Sequence, residues 1–92
     1  MISLKKLILQ KLIRSNIWGG KHIPINFVLK GIPEHFRRTH QGKKEIDNAL
    51  KELTNDEWII LLMKRTGQDS SEHISINPRK VSEIKSFLEN NL

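Results

Sequence analysis

The chain has 92 residues, with 16 basic and 10 acidic side chains, an apolar fraction of 37% and no cysteine. This length predicts one domain with one core over residues 1–92. The composition excludes a disordered, collagen-like or membrane-spanning chain, and the lack of cysteine excludes disulfides and thiolate chemistry. Polar residues interrupt the basic, apolar start too early for a signal peptide, so we expect a cytoplasmic protein.

The charge is unevenly distributed along the chain. Residues 1–53 carry 11 basic and 4 acidic side chains, whereas residues 54–92 carry 5 and 6. Such an excess in one half favours a polyanionic partner, with nucleic acid first and an anionic membrane surface second. The apolar residues of the first segment are needed for the core of so short a chain, so we expect no membrane binding.

The first predicted helix covers residues 2–15, with Ser3 as its N-cap. An apolar stripe at helical spacing runs along it, formed by Leu4, Leu7, Ile8 and Leu12. Three further residues widen the stripe beyond what one buried face needs, namely Ile2, Leu9 and Ile13. Either the helix lies in the middle of the domain, or these three residues pair two subunits into a homodimer.

Short elements and then a long helix are predicted next. The segment Asn16-Ile17-Trp18-Gly19-Gly20 ends the first helix, because glycine adopts the left-handed backbone of a C-terminal cap and two glycines in succession break helical continuity. A strand stub at 21–23, a short helix over Pro24–Lys30 and a turn at 33–36 follow. The segment 38–53 predicts an amphipathic helix that begins either at Thr39 or only at Lys43, with a core face of Ile46, Ala49, Leu50 and Leu53.

The last third of the chain predicts a β-hairpin and a closing helix. Residues 57–66 and 73–77 form two antiparallel strands joined by a polar loop at 67–71, and a helix over Trp58–Met63 is the alternative. Asn77-Pro78 then begins a helix that reaches Asn90 and covers the core.

This order of elements resembles the winged helix-turn-helix family, and small archaeal members of it in particular. The segments that carry the resemblance are LKGIP (29–33), KKEIDNALKEL (43–53) and WIILLMKRTGQDSSEHISINP (58–78). The resemblance implies an α+β fold with a three-helix core, a β-hairpin wing and an additional C-terminal helix. It also implies binding of double-stranded DNA, with the long helix in the major groove, by a transcriptional regulator or a chromatin-associated factor. The alternative is a protein-interaction adaptor within a larger assembly.

The long helix supplies the predicted base contacts. If its apolar face points inward, Gln41, Lys44, Asn48 and Lys51 point outward, with His40 beside them. Amide side chains pair bidentately with adenine, so we predict Asn48 and Gln41 as base readers and the two lysines as phosphate contacts.

Further phosphate contacts are predicted around this helix. Arg37, Arg38 and Lys43 lie near its N-terminus, where backbone N–H groups also favour a phosphate, and Lys30 contacts the backbone of the other strand. At the base of the wing, either Lys64 and Arg65 contact phosphate or the wing is only structural. The wing tip is acidic, so we expect no insertion into the minor groove.

The sequence predicts no enzyme, no metal site, no cofactor and no small-molecule ligand. Its four histidines lack the spacing of metal ligands, and no nucleophile elbow or phosphate loop is present. A homodimer would place its two long helices in successive major grooves, about 34 Å apart, on a roughly palindromic site.

Overall fold

The computed structural model describes residues 3–66 and 69–90, with the backbone alone at residues 64–66 and 69–71. Its elements are α1 (Leu4–Arg14), β1 (Ile23–Pro24), α2 (Ile25–Leu29), α3 (Glu34–Arg38), α4 (His40–Asn55), β2 (Ile59–Thr66), β3 (Asp69–Ile76), a 3-10 helix (Pro78–Lys80) and α5 (Val81–Asn90). The strands form one antiparallel sheet in the order β1-β3-β2. The predicted α+β architecture of helices, hairpin wing and C-terminal helix is therefore present.

Helix α1 lies in the middle of the fold, packed against α2, α4, α5 and β3. The hydroxyl of Ser3 accepts a hydrogen bond from the Lys6 amide, which confirms the predicted N-cap. Leu9 has no exposed surface within a single chain, and Ile13 packs against the core. The predicted homodimer surface is therefore wrong at Leu9, while Ile2 lies outside the described residues. Burial among four neighbouring elements explains why this helix is apolar over so wide an arc.

The end of α1 differs from the prediction. The helix ends at Arg14, and Asn16 rather than the glycine pair takes the left-handed backbone there, with φ of 55°. Asparagine tolerates this conformation better than other residues with a Cβ. Gly19 also has φ of 55°, in the loop that leads to β1. Pro24 ends the strand and precedes α2 as its N-cap, so it is not the first helical residue.

Helix α3 occupies the segment for which the sequence predicts a turn, and that prediction is wrong. Pro33 has φ of −52° and ψ of 143° and precedes the first helical turn, in which Glu34 lies. A carboxylate in this position is stabilised by the positive end of the helix dipole. Phe36 packs against the core, so this short helix is held by tertiary contacts.

The hairpin is longer than predicted, and the helical alternative for residues 58–63 is wrong. Strands β2 and β3 pair continuously from Ile59 opposite Ile76 to Thr66 opposite Asp69. The predicted polar loop at 67–71 is therefore too long, because residues 69–71 already belong to β3. Alternation of Ile74 and Ile76 directs both side chains into the core, where neither is exposed.

Polar side chains attach the hairpin to the loop before β1. The hydroxyl of Ser75 is buried and lies 2.6 Å from the Lys21 carbonyl oxygen and 3.1 Å from that of Gly19. The Nδ1 atoms of His22 and His73 are 2.9 Å apart. These contacts join residues more than 50 positions apart, so no local pattern predicts them.

The chain closes as predicted. The Asn77 side chain accepts a hydrogen bond from the Arg79 amide, and Pro78 begins the 3-10 helix that leads into α5. Ile84 of α5 is fully buried, and the Phe87 ring meets the Trp58 ring edge-on at 5.3 Å between centroids.

Candidate nucleic-acid interface

The start of α4 is set by one side chain. The hydroxyl of Thr39 accepts a hydrogen bond from the Gly42 amide and donates one to the His35 carbonyl oxygen, both at 2.9 Å. It therefore ends α3 and begins α4 at the same residue, which agrees with the earlier of the two predicted starts. The predicted core face of α4 is buried as expected, at Ile46, Ala49, Leu50 and Leu53.

We expect Thr39→Ala to lower the free energy of unfolding by about 1 kcal/mol, as losses of helix N-caps do. Urea denaturation followed by circular dichroism measures this change. Thr39→Ser keeps the hydroxyl and should retain most of the stability, and equal losses in the two variants would contradict the capping role.

The outer face of α4 is open to solvent. We use this name for His40, Gln41, Lys44, Asn48 and Lys51, all of which are exposed. The orientation predicted from helical spacing is therefore confirmed. Contact of these side chains with DNA stays a prediction.

A basic groove of about 540 Å³ runs along one side of α4, where α2 and α3 meet it. It is lined by Lys30 at the end of α2, Arg37 of α3 and Lys43 of α4, together with Asn26 and Asp47. The Nε of Arg37 donates to the Ile32 carbonyl oxygen at 3.1 Å, which fixes the direction of the guanidinium group. Three cations against one carboxylate give the groove a positive charge that attracts an anion.

An acidic flank lies on the other side of α4. Asn48 lines a second groove there together with Glu45 and Glu52, and Glu52 forms an ion pair with Lys5 of α1 at 3.3 Å. The Gln41 amide donates to the Glu45 carboxylate at 3.5 Å. The two predicted base readers therefore lie beside carboxylates. Lys44 and Lys51 lie opposite the buried face of α4, so they project to solvent between the basic groove and the acidic flank.

The remaining predicted contacts are one exposed arginine outside the basic groove and two residues whose side chains the structure does not describe. Arg38 is exposed outside the basic groove and forms an ion pair with Glu34 at 3.6 Å. An exposed pair of this kind is weak, so it does not prevent contact with phosphate. The side chains of Lys64 and Arg65 lie outside the described part of the structure, as does the tip of the wing at 67–68.

Asp47 also lies at this site, although it is not among the contacts that the sequence predicts. Asp47 lines the basic groove and also a depression between α4 and the wing, which it shares with Lys51 and Glu72. The residue spacing along α4 indicates this position, because Asp47 lies four residues after Lys43 and four before Lys51, on the same side of the helix. Its carboxylate lies between these two cations along the helix axis and offsets part of their charge.

No other chemistry stands out in residues 3–66 and 69–90. Within those ranges no three metal-ligating side chains gather, although His22 and His73 touch. None of the helices described there has the length and apolar character needed to cross a membrane.

Comparison with known proteins supports the fold. No family model matches the chain, and no curated protein matches it in sequence. Its structure is similar to that of PadR from Bacillus subtilis, determined as a crystal structure in complex with operator DNA, with a TM-score of 0.60 and 17% sequence identity. The match covers 96% of this chain and 48% of the PadR chain, so this chain spans about half the length of that protein. The likeness confirms the winged-helix fold, and the particular resemblance to archaeal members stays a prediction.

Proposed function

We propose that this chain binds double-stranded DNA through the outer face of α4 and the basic groove, and that it regulates transcription. The observation that carries the proposal is the convergence of Lys30, Arg37 and Lys43 from three elements, beside the exposed Lys44 and Lys51. The likeness to a winged-helix protein whose structure contains operator DNA supports it. We also propose that the chain acts in the cytoplasm.

The two sides of the site suit different parts of a duplex. The major groove of B-DNA is wide enough for one α-helix, and the outer face of α4 is exposed to solvent along its length. Lys44 and Lys51 are seven residues apart, which is about 10 Å along a helix, so they reach positions about three base pairs apart. Asn48 lies between them along the axis and remains our predicted reader of adenine.

The basic groove is suited to the sugar-phosphate backbone beside the major groove. Arg37 offers a planar guanidinium that pairs with phosphate in a fork, and its bond to Ile32 restricts its rotation before DNA arrives. Lys30 and Lys43 add two ammonium groups to the same groove. Backbone contacts of this type set the register of a protein on the duplex without reading its sequence.

The salt dependence of binding tests this proposal. We expect fluorescence anisotropy to detect binding to a mixed-sequence duplex at low salt. With about five phosphates neutralised per subunit, the plot of log affinity against log salt should have a slope of about −4 to −5 per subunit. Undetectable binding at low salt would overturn the proposal. A slope near zero would contradict the assignment of the lysines and Arg37 to phosphate.

A further inference from the structure

The exposed apolar side chains of the described residues are concentrated on one strand. Among the described residues, four large hydrophobic side chains are exposed. Three of them belong to β2, namely Ile60 at 37%, Leu62 at 41% and Met63 at 64%. The fourth, Phe27, lies on α2. Strand β2 is one of the two outer strands of the sheet and has β3 on one side only. Residues 59–63 contain no charge, proline or glycine, so this part of the edge lacks the features by which most proteins prevent strand pairing, and the first charge of β2 is Lys64.

Hydrogen bonds of β3 define which backbone groups of β2 face the open edge. The amide of Ile76 donates to the Ile17 carbonyl oxygen, and the Ile76 carbonyl oxygen accepts from the Gly19 amide, both at 3.1 Å. Ile76 therefore makes no ladder bonds to Ile59, its opposite residue on β2. Because bonded and non-bonded pairs alternate along an antiparallel ladder, Ile59, Leu61 and Met63 direct their N–H and C=O groups away from β3.

We propose that a second copy of this chain pairs with β2 along this edge, antiparallel and centred on Leu61. In this register Ile59 lies opposite Met63 and Leu61 lies opposite Leu61 of the second copy. All of these residues direct their backbone groups outward, so the pairs can exchange hydrogen bonds. Ile60 then lies opposite Leu62 in a non-hydrogen-bonded pair, where side chains approach most closely. The dimer is joined by one continuous sheet of six strands.

The strand is complementary to itself, which favours a second copy over an unrelated protein. A two-fold axis places the uncharged stretch 59–63 against the same stretch of the second copy. Ile60 of each copy then lies beside Leu62 of the other, so these apolar side chains cover each other. Acidic Asp56 and Glu57 precede the stretch, and basic Lys64 and Arg65 follow it. Antiparallel pairing directs the end of β2 that follows Asp56 and Glu57 towards the Lys64–Arg65 end of β2 in the other copy, and this order of charges along the sequence favours the pairing. This proposal does not depend on DNA binding.

Charge substitutions at the central pairs test both the dimer and its register. We expect sedimentation velocity without DNA to show a dimer for the natural chain. Ile60→Lys with Leu62→Lys should weaken dimerisation by at least about 100-fold, because ammonium groups then face each other at both pairs. Ile60→Glu with Leu62→Lys should restore a dimer, because each carboxylate faces an ammonium group of the other copy. Phe27→Lys, which removes the exposed apolar side chain of α2, should leave the dimer unchanged.

Each contrary result overturns the proposal. A natural chain that stays monomeric at millimolar concentration excludes the dimer, and a double-lysine variant that stays dimeric excludes this edge. A folded but monomeric glutamate-lysine variant excludes the Leu61-centred register. Circular dichroism and melting curves establish that all variants are folded. Since the oligomeric state is measured without DNA, its failure and a failure to bind DNA remain distinct.

Discussion

Reversing the charge of Lys44 and Lys51 should abolish the proposed DNA binding without unfolding the chain. This is the expected result for Lys44→Glu combined with Lys51→Glu, because both side chains are exposed on the outer face of α4. The double variant replaces two attractive contacts with two repulsive ones at the surface of a polyanion. We expect affinity for a mixed-sequence duplex to fall by at least about 100-fold at about 0.1 M salt. Fluorescence anisotropy measures the affinity, and circular dichroism measures the fold.

A matched control separates this face from net charge. Arg79→Glu combined with Lys85→Glu changes the formal charge by the same amount, at exposed positions of the 3-10 helix and α5. Charges more than about 8 Å from the DNA are largely screened at physiological salt, so this control should retain most of the affinity. Equal losses in the two double variants would mean that net charge alone drives binding. Unchanged affinity in the Lys44 and Lys51 variant would refute the assigned face.

The helical periodicity of α4 is sufficient to predict which of its side chains are exposed. Ile46, Ala49, Leu50 and Leu53 recur at the spacing of one helical face, so the opposite direction follows from geometry alone. The periodicity identifies only those neighbours of an exposed side chain that lie on α4 itself, such as the two glutamates three residues before and four residues after Asn48. Lys43 lies near two cations of other elements because of how α2 and α3 pack against α4.

The basic groove is a product of tertiary structure. The sequence predicts Arg37 and Lys43 as phosphate contacts near the N-terminus of the long helix, and Lys30 separately as a contact to the backbone of the other strand. Their meeting in one groove depends on α3, which the sequence predicts as a turn. A five-residue helix is too short to show a periodic pattern, and its stability comes from packing.

The proposed dimer surface shows that an apolar sequence pattern does not distinguish a buried element from a subunit interface. The wide apolar arc of α1 is equally consistent with a central helix and with a subunit interface, and burial of Leu9 decides for the central helix. The apolar run of β2 is consistent with a buried strand, so nothing in it indicates an exposed edge. The strand order reveals that edge, because it places β3 and not β2 in the middle of the sheet.

Replacing Gly42 with alanine should destabilise the fold strongly, although alanine is the better helix former. In an exposed helix this change stabilises by about 1 kcal/mol. Gly42 is buried in the first turn of α4, and a Cβ there would overlap the backbone of Phe36 in α3. Relief requires that α3 and α4 move apart, at the typical cost of an overpacked core of about 1–3 kcal/mol or more. Because the overlap is with backbone atoms, we expect a cost of about 3 kcal/mol and, after the gain in helix propensity, a net loss of about 2 kcal/mol, seen as a fall in melting temperature of roughly 8–16 °C.

The same substitution at Gly20 provides the control. A Cβ at Gly20 would meet no heavy atom within 4 Å beyond its neighbours in the chain, so Gly20→Ala should change stability by less than about 0.5 kcal/mol. Adding Phe36→Ala to Gly42→Ala should not rescue stability, because the overlapping atoms of Phe36 are its carbonyl group and Cα. A Gly42→Ala variant as stable as the natural chain would contradict the close approach of α3 and α4. That approach also holds Arg37 beside Lys43 in the basic groove. We therefore expect the Gly42→Ala variant to bind DNA more weakly than the natural chain even at a temperature at which both are fully folded.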